Sequence, residues 1–170
     1  MYVNVAVLRE TRPHERRVAL VPSVVPTLIK LGAKVHMQTG AGEGVSLTDF
    51  AYQDVEFLED RIKLVADADL VLCVQPPELE VIRSMKVGAV LTSFIYANQE
   101  KDLVQLLQEK KITSFEMERM PRITRAQSMD ALSSQSALAG YYAVGLSATL
   151  LSRILPKITT AAEASGRQKS

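Results

Sequence analysis

Three arginines spaced three residues apart, Arg119, Arg122 and Arg125, stand on a short segment with Pro121 and a polar tail, Gln127-Ser128-Met129-Asp130. A guanidinium can hold a carboxamide, carboxylate or phosphate by paired hydrogen bonds. The apolar run 112–115 before this segment reads as a strand, and a long uncharged run with helical character follows it. Loops between a strand end and a helix start are where α/β proteins place ligands. The same residue types also suit a solvated basic loop in which Asp130 or Ser128 caps the next helix. Taken alone, the loop favours that plainer role.

Other candidates for chemistry are weaker. Residues 9–17, Arg-Glu-Thr-Arg-Pro-His-Glu-Arg-Arg, form the most charged stretch. Gly40, Gly42 and Gly44 suggest a dinucleotide fingerprint, but the third glycine of G-x-G-x-x-G would fall on Val45. No convincing helix opens behind it, so a tight loop is the better reading. His14 and His36 are read as exposed or half-buried structural histidines. The single cysteine, Cys73, lies in an apolar run, which excludes an intramolecular disulfide framework and fits a reducing compartment. No metal site is expected.

Composition removes further classes. Hydrophobic residues make up 47% and charged residues 23% of the 170, with a formal net charge of +1. Neither nucleic acid nor an anionic membrane is called for by bulk charge. The absence of tryptophan and the low aromatic content argue against a base-stacking surface. The start of the chain has no basic, long apolar leader. Residues 131–152 carry no charge and are long enough to span a bilayer. Ser133, Ser134, Gln135, Ser136, Ser147, Thr149 and Ser152 interrupt that stretch, so a helix packed within a globular protein is preferred over membrane insertion.

These residues must be positioned by regular elements, and the pattern for them is clear. Apolar, β-branched runs at 3–8, 33–38, 55–58, 69–74, 89–95 and 112–115 read as strands. Between them lie helical patterns: 23–31, with Ser23 as cap, Pro26 in the first turn and Gly32 as stop; 60–66; 78–85; and an amphipathic helix opening at Asn98 or Gln99 and running to 109. A short helix is expected at 48–51 and a long one from about 130 to 155, ended by Pro156. Alternating apolar strands and helices predict an α/β fold: a three-layer, Rossmann-like or flavodoxin-like, mostly parallel sheet of five or six strands. Helices cover both faces, and a long C-terminal helix follows.

At this level of detail the chain resembles a known family, the N-terminal domain shared by alanine dehydrogenase and the alpha subunit of the proton-translocating nicotinamide nucleotide transhydrogenase. The carriers are Arg9-Glu10, Glu15-x-Arg17-Val18-Ala19-Leu20-x-Pro22, Gly40-Ala41-Gly42 and Ser93-Phe94-Ile95. The run from Pro121 to Ser134, Pro-Arg-Ile-Thr-Arg-Ala-Gln-Ser-Met-Asp-Ala-Leu-Ser-Ser, places the resemblance nearer the transhydrogenase branch.

The resemblance implies that Arg122, Gln127, Asp130 and Ser133 contact NAD(H). Arg122 would bond the carboxamide or nearby phosphate oxygens, Gln127 would reach toward the other nucleotide or its ribose, Asp130 would orient the loop, and Ser133 would support them. It implies no catalytic acid or base, because hydride passes directly from NADH to NADP⁺ held by a partner subunit. In the alanine dehydrogenase branch, an arginine matching Arg17 holds a substrate carboxylate, and a lysine and a histidine carry protons. Here those two positions fall on Gln75 and Tyr96, and neither serves well as an acid or base at neutral pH. Arg17 is therefore kept as a substrate-binding candidate for a 2-oxo acid in an alternative reading. A second alternative is a non-catalytic interaction or regulatory module.

The resemblance runs through Ile158-Thr159-Thr160-Ala161-Ala162 and then fails. The expected organisation is a domain at 1–158 and a disordered tail at 159–170, without the second, NAD-binding domain that such proteins carry. The chain is expected to have no turnover alone and weak or absent NAD(H) binding. Its expected partners are the transhydrogenase beta subunit and the NAD-binding and membrane regions of alpha, with a homodimer also considered and no nucleic acid. The expected location is the cytoplasm, peripheral to the inner membrane through the complex.

Overall fold

A computed structural model describes residues 2–151 of the chain. They fall into two compact units, one ending at Asp130 and one beginning at Ala131. In the first unit, six strands form one sheet: β1 (Val3–Val7), β2 (Ala33–Gln38), β3 (Glu56–Leu58), β4 (Leu70–Leu72), β5 (Val90–Ser93) and β6 (Thr113–Glu116). The order is β3-β2-β1-β4-β5-β6, and every neighbouring pair is parallel. The mostly parallel sheet expected from the sequence is thus fully parallel and six-stranded.

Alternation along β1 divides the core in two. Val5 and Val7 pack with Val35, Met37 and Val25 under helix α1 (Val25–Lys30). Ala6, followed by Leu8, faces the other way, toward α2 (Arg61–Ala66), α3 (Leu79–Ser84) and α4 (Lys101–Glu109), with Val65, Val81, Ile82, Leu103 and Leu107. A central strand buried on both faces is apolar on both, which is why β1 reads as a near-continuous run broken only at Asn4, near its start. Each fully buried Val or Leu contributes about 1.5–3 kcal/mol relative to exposure.

Helix boundaries follow local chemistry. Asp60 caps α2, its Oδ1 accepting from the N–H groups of Ile62 and Lys63 at 3.0 and 3.1 Å. Gly32, at φ +88°, ends the α1 region in the left-handed conformation that glycine adopts without strain. The expected Ser23 cap is not formed. Pro22 opens a 3₁₀ turn (Pro22–Val24) that contains Ser23, and α1 begins at Val25 with no side-chain cap. Helix α4 likewise starts at Lys101 and not at Asn98 or Gln99. Tyr96 turns the chain at φ +51°, and its carbonyl accepts from both Gln99 N–H and Glu100 N–H.

The second unit, over its described residues, is one helix, α5 (Ala131–Leu150). Its extension to 155, the stop at Pro156 and the tail at 159–170 lie outside the described residues. Among those residues no helix is long and apolar enough to cross a membrane.

Candidate functional site

In a parallel sheet all strands end at one edge, and the connections leaving that edge hold the candidate residues. The order reverses between β1 and β4, so the crevice outside their carboxyl ends is the place where such sheets take ligands. Of the segments that leave this edge, two carry the candidate residues of the first unit: 9–17 after β1, and 117–130 after β6.

The first loop is tied down at several points. Glu10 reaches across the switch point and accepts from the N–H groups of Val74 and Gln75, at 2.6 and 3.0 Å, just past β4. Burial pushes the Glu10 carboxyl above its ordinary range, partly offset by those two N–H donors. Glu15 Oε1 accepts from Arg17 N–H at 3.0 Å and Arg17 Nε at 2.8 Å. Its Oε2 accepts from Arg17 Nη2 and, at 2.7 Å, from Gln75 Nε2. Arg17 is the main reason that the Glu15 carboxyl is held down at about 2. The Arg17 guanidinium lies 5.6 Å from the Phe94 ring centroid, and Phe94 stacks on Tyr96 with centroids 6.0 Å apart. Further out, Arg12 pairs with Glu100 at 2.7 Å, and Arg61 pairs with Glu78 while donating to the Arg9 carbonyl.

The glycine loop is a tight packing element, as expected. Gly40 N–H donates to the Asp49 carboxylate at 3.0 Å. A Cβ on Gly44 would sit 2.4 Å from the Arg16 carbonyl, so only glycine lets this loop press against residues 9–17.

The second loop is fixed at its root and open at its tip. Glu118 accepts from the Ile95 N–H at 3.1 Å and the Tyr96 N–H at 2.6 Å, beyond the end of β5. A cleft of about 150 Å³ lies here, lined by Tyr96, Asn98, Gln99, Glu118 and Arg119. Arg119 pairs with Glu116 at 3.4 Å. Beyond Pro121, a 3₁₀ segment (Thr124–Met129) is pinned by the buried Ala126, whose N–H donates to the Ile123 carbonyl. Arg122, Arg125 and Gln127 are exposed, and their side chains make no hydrogen bond or ion pair among the described residues.

The candidate residues are therefore distributed as follows. Arg122, Gln127 and the half-buried Asp130 share one loop, and the Asp130 N–H donates to the Gln127 carbonyl at 3.3 Å. Ser133 is exposed in the first turn of α5, in the second unit. Arg17 belongs to the switch-point crevice. Sequence reasoning assigned no role to Glu10, Glu15 or Glu118. For Glu10 and Glu118 the signal available was a glutamate two or three residues beyond a strand, near the carboxyl edge where backbone N–H groups await an acceptor.

The remaining candidates add no catalytic group. Cys73 is buried, and burial pushes its thiol up to about 12, far from a nucleophilic thiolate. His14 is exposed, and His36 is half-buried with Nδ1 3.5 Å from Glu56. His36 lines a groove of about 320 Å³ with Lys34, Glu56, Lys63 and Asp67, over the β2–β3 side of the sheet.

Residues 6–139 match the model of a family described as alanine dehydrogenase/PNT, N-terminal domain. The chain is 41% identical over 138 residues to the NAD(P) transhydrogenase subunit alpha of Cereibacter sphaeroides, covering 80% of this chain and 26% of that protein. It is 31% identical over 151 residues to the alanine dehydrogenase of Bacillus subtilis (strain 168), covering 88% and 39%. Among solved structures, the transhydrogenase from Sinorhizobium meliloti superposes with a TM-score of 0.84 at 37% identity, covering 94% of this chain and 48% of that one. The chain thus spans less than half the length of these relatives.

Proposed function

This chain belongs to the alanine dehydrogenase/PNT N-terminal domain family, and we propose that it is the N-terminal domain of an NAD(P) transhydrogenase alpha subunit. In that role it takes part in hydride transfer between NADH and NADP⁺, coupled to proton translocation, and turns over nothing alone. The reading is supported by one observation above the rest. The loop 121–130 is anchored at its root by Glu118 and presents a guanidinium and a carboxamide, Arg122 and Gln127, that no described residue uses. Such donors suit a nicotinamide carboxamide or a phosphate oxygen.

When bound, NADH would supply the hydride, and NADP⁺ on a partner subunit would accept it. The residues of this chain do the positioning. Arg122 donates paired hydrogen bonds and fixes the plane of what it holds. Gln127, further along the 3₁₀ segment, offers both a donor and an acceptor toward the partner's side. Asp130 orients the segment. No acid or base is required, so the task is alignment, where small displacements cost much rate. The adenosine and pyrophosphate contacts would come from the NAD-binding region of alpha. The beta subunit and the membrane region complete the enzyme, placing this domain on the cytoplasmic side of the inner membrane.

The test is reconstitution. The purified chain, mixed with a separate NAD-binding region of alpha and the beta subunit, is assayed for hydride transfer from NADH to an NADP⁺ analogue. Activity that depends on this chain and falls with Arg122→Ala supports the proposal. No activity from folded components counts against it. Titrated alone, the chain is expected to show no saturable micromolar binding of NADH.

A further inference from the structure

One row of the sheet changes character along its length. Register aligns Leu91, Val71, Ala6, His36 and Glu56 across β5, β4, β1, β2 and β3. The first three are buried, His36 is half-buried and Glu56 is exposed. Ala6 belongs to the same core cluster as Leu64 and Ala68, from α2 and the residues just after it. Two alanines meeting here leave space that Val71 and Leu91 fill further along the row, and a groove of about 320 Å³ results. That volume is at the small end of the range for ligand pockets. Its floor is apolar, with Ala6, Leu58, Leu64 and Ala68. Each side carries one cation and one carboxylate: Lys34 and Glu56 on the strands, Lys63 and Asp67 on or just after α2. The two sides differ in what is already paired. Glu56 is answered by Lys34 at 3.2 Å and faces His36 Nδ1 at 3.5 Å. Lys63 lies 3.8 Å from Asp60, whose other oxygen caps α2. The Asp67 carboxylate makes no hydrogen bond or ion pair among the described residues.

We propose that this groove binds a small zwitterion with an apolar side chain, an amino acid of the valine or leucine class. Lys63 and Asp67 are four residues apart, a spacing that places their charges about one helical turn from each other. The ligand ammonium goes to Asp67, its carboxylate goes to Lys63, and its side chain covers Ala6, Leu64 and Ala68. A zwitterion answers both charges at once. A simple anion leaves Asp67 facing a like charge, and a simple cation does the same to Lys63. The Lys34–Glu56 pair, closed on itself, forms the opposite rim. This groove lies against the face of the sheet and shares no residue with the loops 9–17 and 117–130. The inference is independent of the role proposed for Arg122, because its test involves no nucleotide and no partner subunit.

The experiment is a titration of the purified chain with L-leucine and L-valine, followed by the amide resonances of the chain and by calorimetry. Two half-ligands serve as controls: 4-methylpentanoate, which is leucine without its ammonium, and 3-methylbutylamine, which is leucine without its carboxylate. Saturable millimolar binding of leucine is expected, with shifts confined to the amides of 34–36, 56–58 and 63–68. Each half-ligand is expected to bind at least roughly fivefold more weakly, the scale of one exposed charge contact. Asp67→Asn and Lys63→Gln should each weaken leucine binding by a similar factor. Both positions are exposed, so the folded state should persist. Ala68→Leu fills the groove and should abolish binding; if that variant does not fold, the two charge variants carry the test. No saturable binding of either amino acid up to its solubility limit would overturn the proposal. So would half-ligands that bind as well as leucine, unchanged affinity in a folded Asp67→Asn/Lys63→Gln double variant, or shifts centred on the loops at the carboxyl edge.

Discussion

Arg17 and Arg122 both lie on loops leaving the carboxyl edge of one sheet, and the fold treats them in opposite ways. Arg17 is chelated by Glu15, lies against Phe94 and sits among residues that tie 9–17 across the switch point. Arg122 is exposed on a loop whose root is fixed, and no described residue answers its charge. A guanidinium inside such a network contributes to folding through charge-assisted hydrogen bonds. One at the tip contributes almost nothing to folding and is available to a ligand. Residue type alone does not separate the two roles; the presence of a nearby acceptor does.

The sharpest way to break this contrast is to remove each guanidinium in turn. In the reconstituted enzyme, Arg122→Ala is expected to lower hydride transfer by roughly 10²-fold, the scale of losing one positioning donor. Its urea midpoint should not move, since an exposed substitution changes stability by no more than about 0.5 kcal/mol. Arg17→Ala should do the reverse. It leaves the Glu15 carboxylate with Gln75 as its side-chain donor and the like-charged Glu10 nearby, at a cost of about 2 kcal/mol. The melting temperature then falls by about 4–8 °C for a chain of this size. Equal stability losses in both variants would show that the loop tip is part of the fold after all.

A smaller effect tests whether the open loop owes its position to its root. Glu118→Ala removes the acceptor for the Ile95 and Tyr96 N–H groups. The expected loss is about 1–2 kcal/mol. The amides of 95 and 96 should exchange faster with solvent, while those of β1 stay protected. In the reconstituted enzyme the maximal rate should fall more than the affinity for NADH. Unchanged exchange at 95 and 96 would remove Glu118 as the anchor.

The two halves of the contrast also differ in how far sequence reasoning reaches them. The strands were legible because a sheet buried on both faces demands apolar runs, and all six fall within two residues of the expected spans. Local signals failed where two competed: Pro22 started a 3₁₀ turn that consumed the Ser23 cap, and the left-handed Tyr96 delayed α4. The bound loop was invisible in its essentials, because Glu10 meets Val74 and Gln75 from 64 and 65 positions away, and no spacing rule reaches that far. The open loop stands out in the sequence by its arginines. The roles proposed for Arg122 and Gln127 came from family resemblance alone, since an exposed side chain leaves no pattern of burial to read.

The smallest expected effect, the acid limb of the stability curve, separates the two glutamates of the bound loop. Glu15 is held down at about 2 from an ordinary 4.5, chiefly by Arg17. The unfolded chain therefore binds the proton more readily, and stability rises with pH across that interval. The Glu15 contribution is full above about 4.5 and is lost as pH falls toward 2. After solvent screening it is on the order of 1 kcal/mol. Glu10 has the opposite sign. Its carboxyl is raised by burial, so the folded chain binds the proton more readily, and its contribution is present below 4.5 and fades as pH rises through the folded value. The wild type should therefore lose stability steeply only below about pH 4.5, with a shallow decline just above it. Glu15→Gln should flatten the acid limb and also shrink the decline above it, because the Glu15 charge is one of the influences raising Glu10. Urea midpoints measured from pH 2 to 7 would read both limbs. An acid limb as steep in Glu15→Gln as in the wild type would assign it to other carboxylates, and Arg17 would then be held by packing against Phe94 more than by charge.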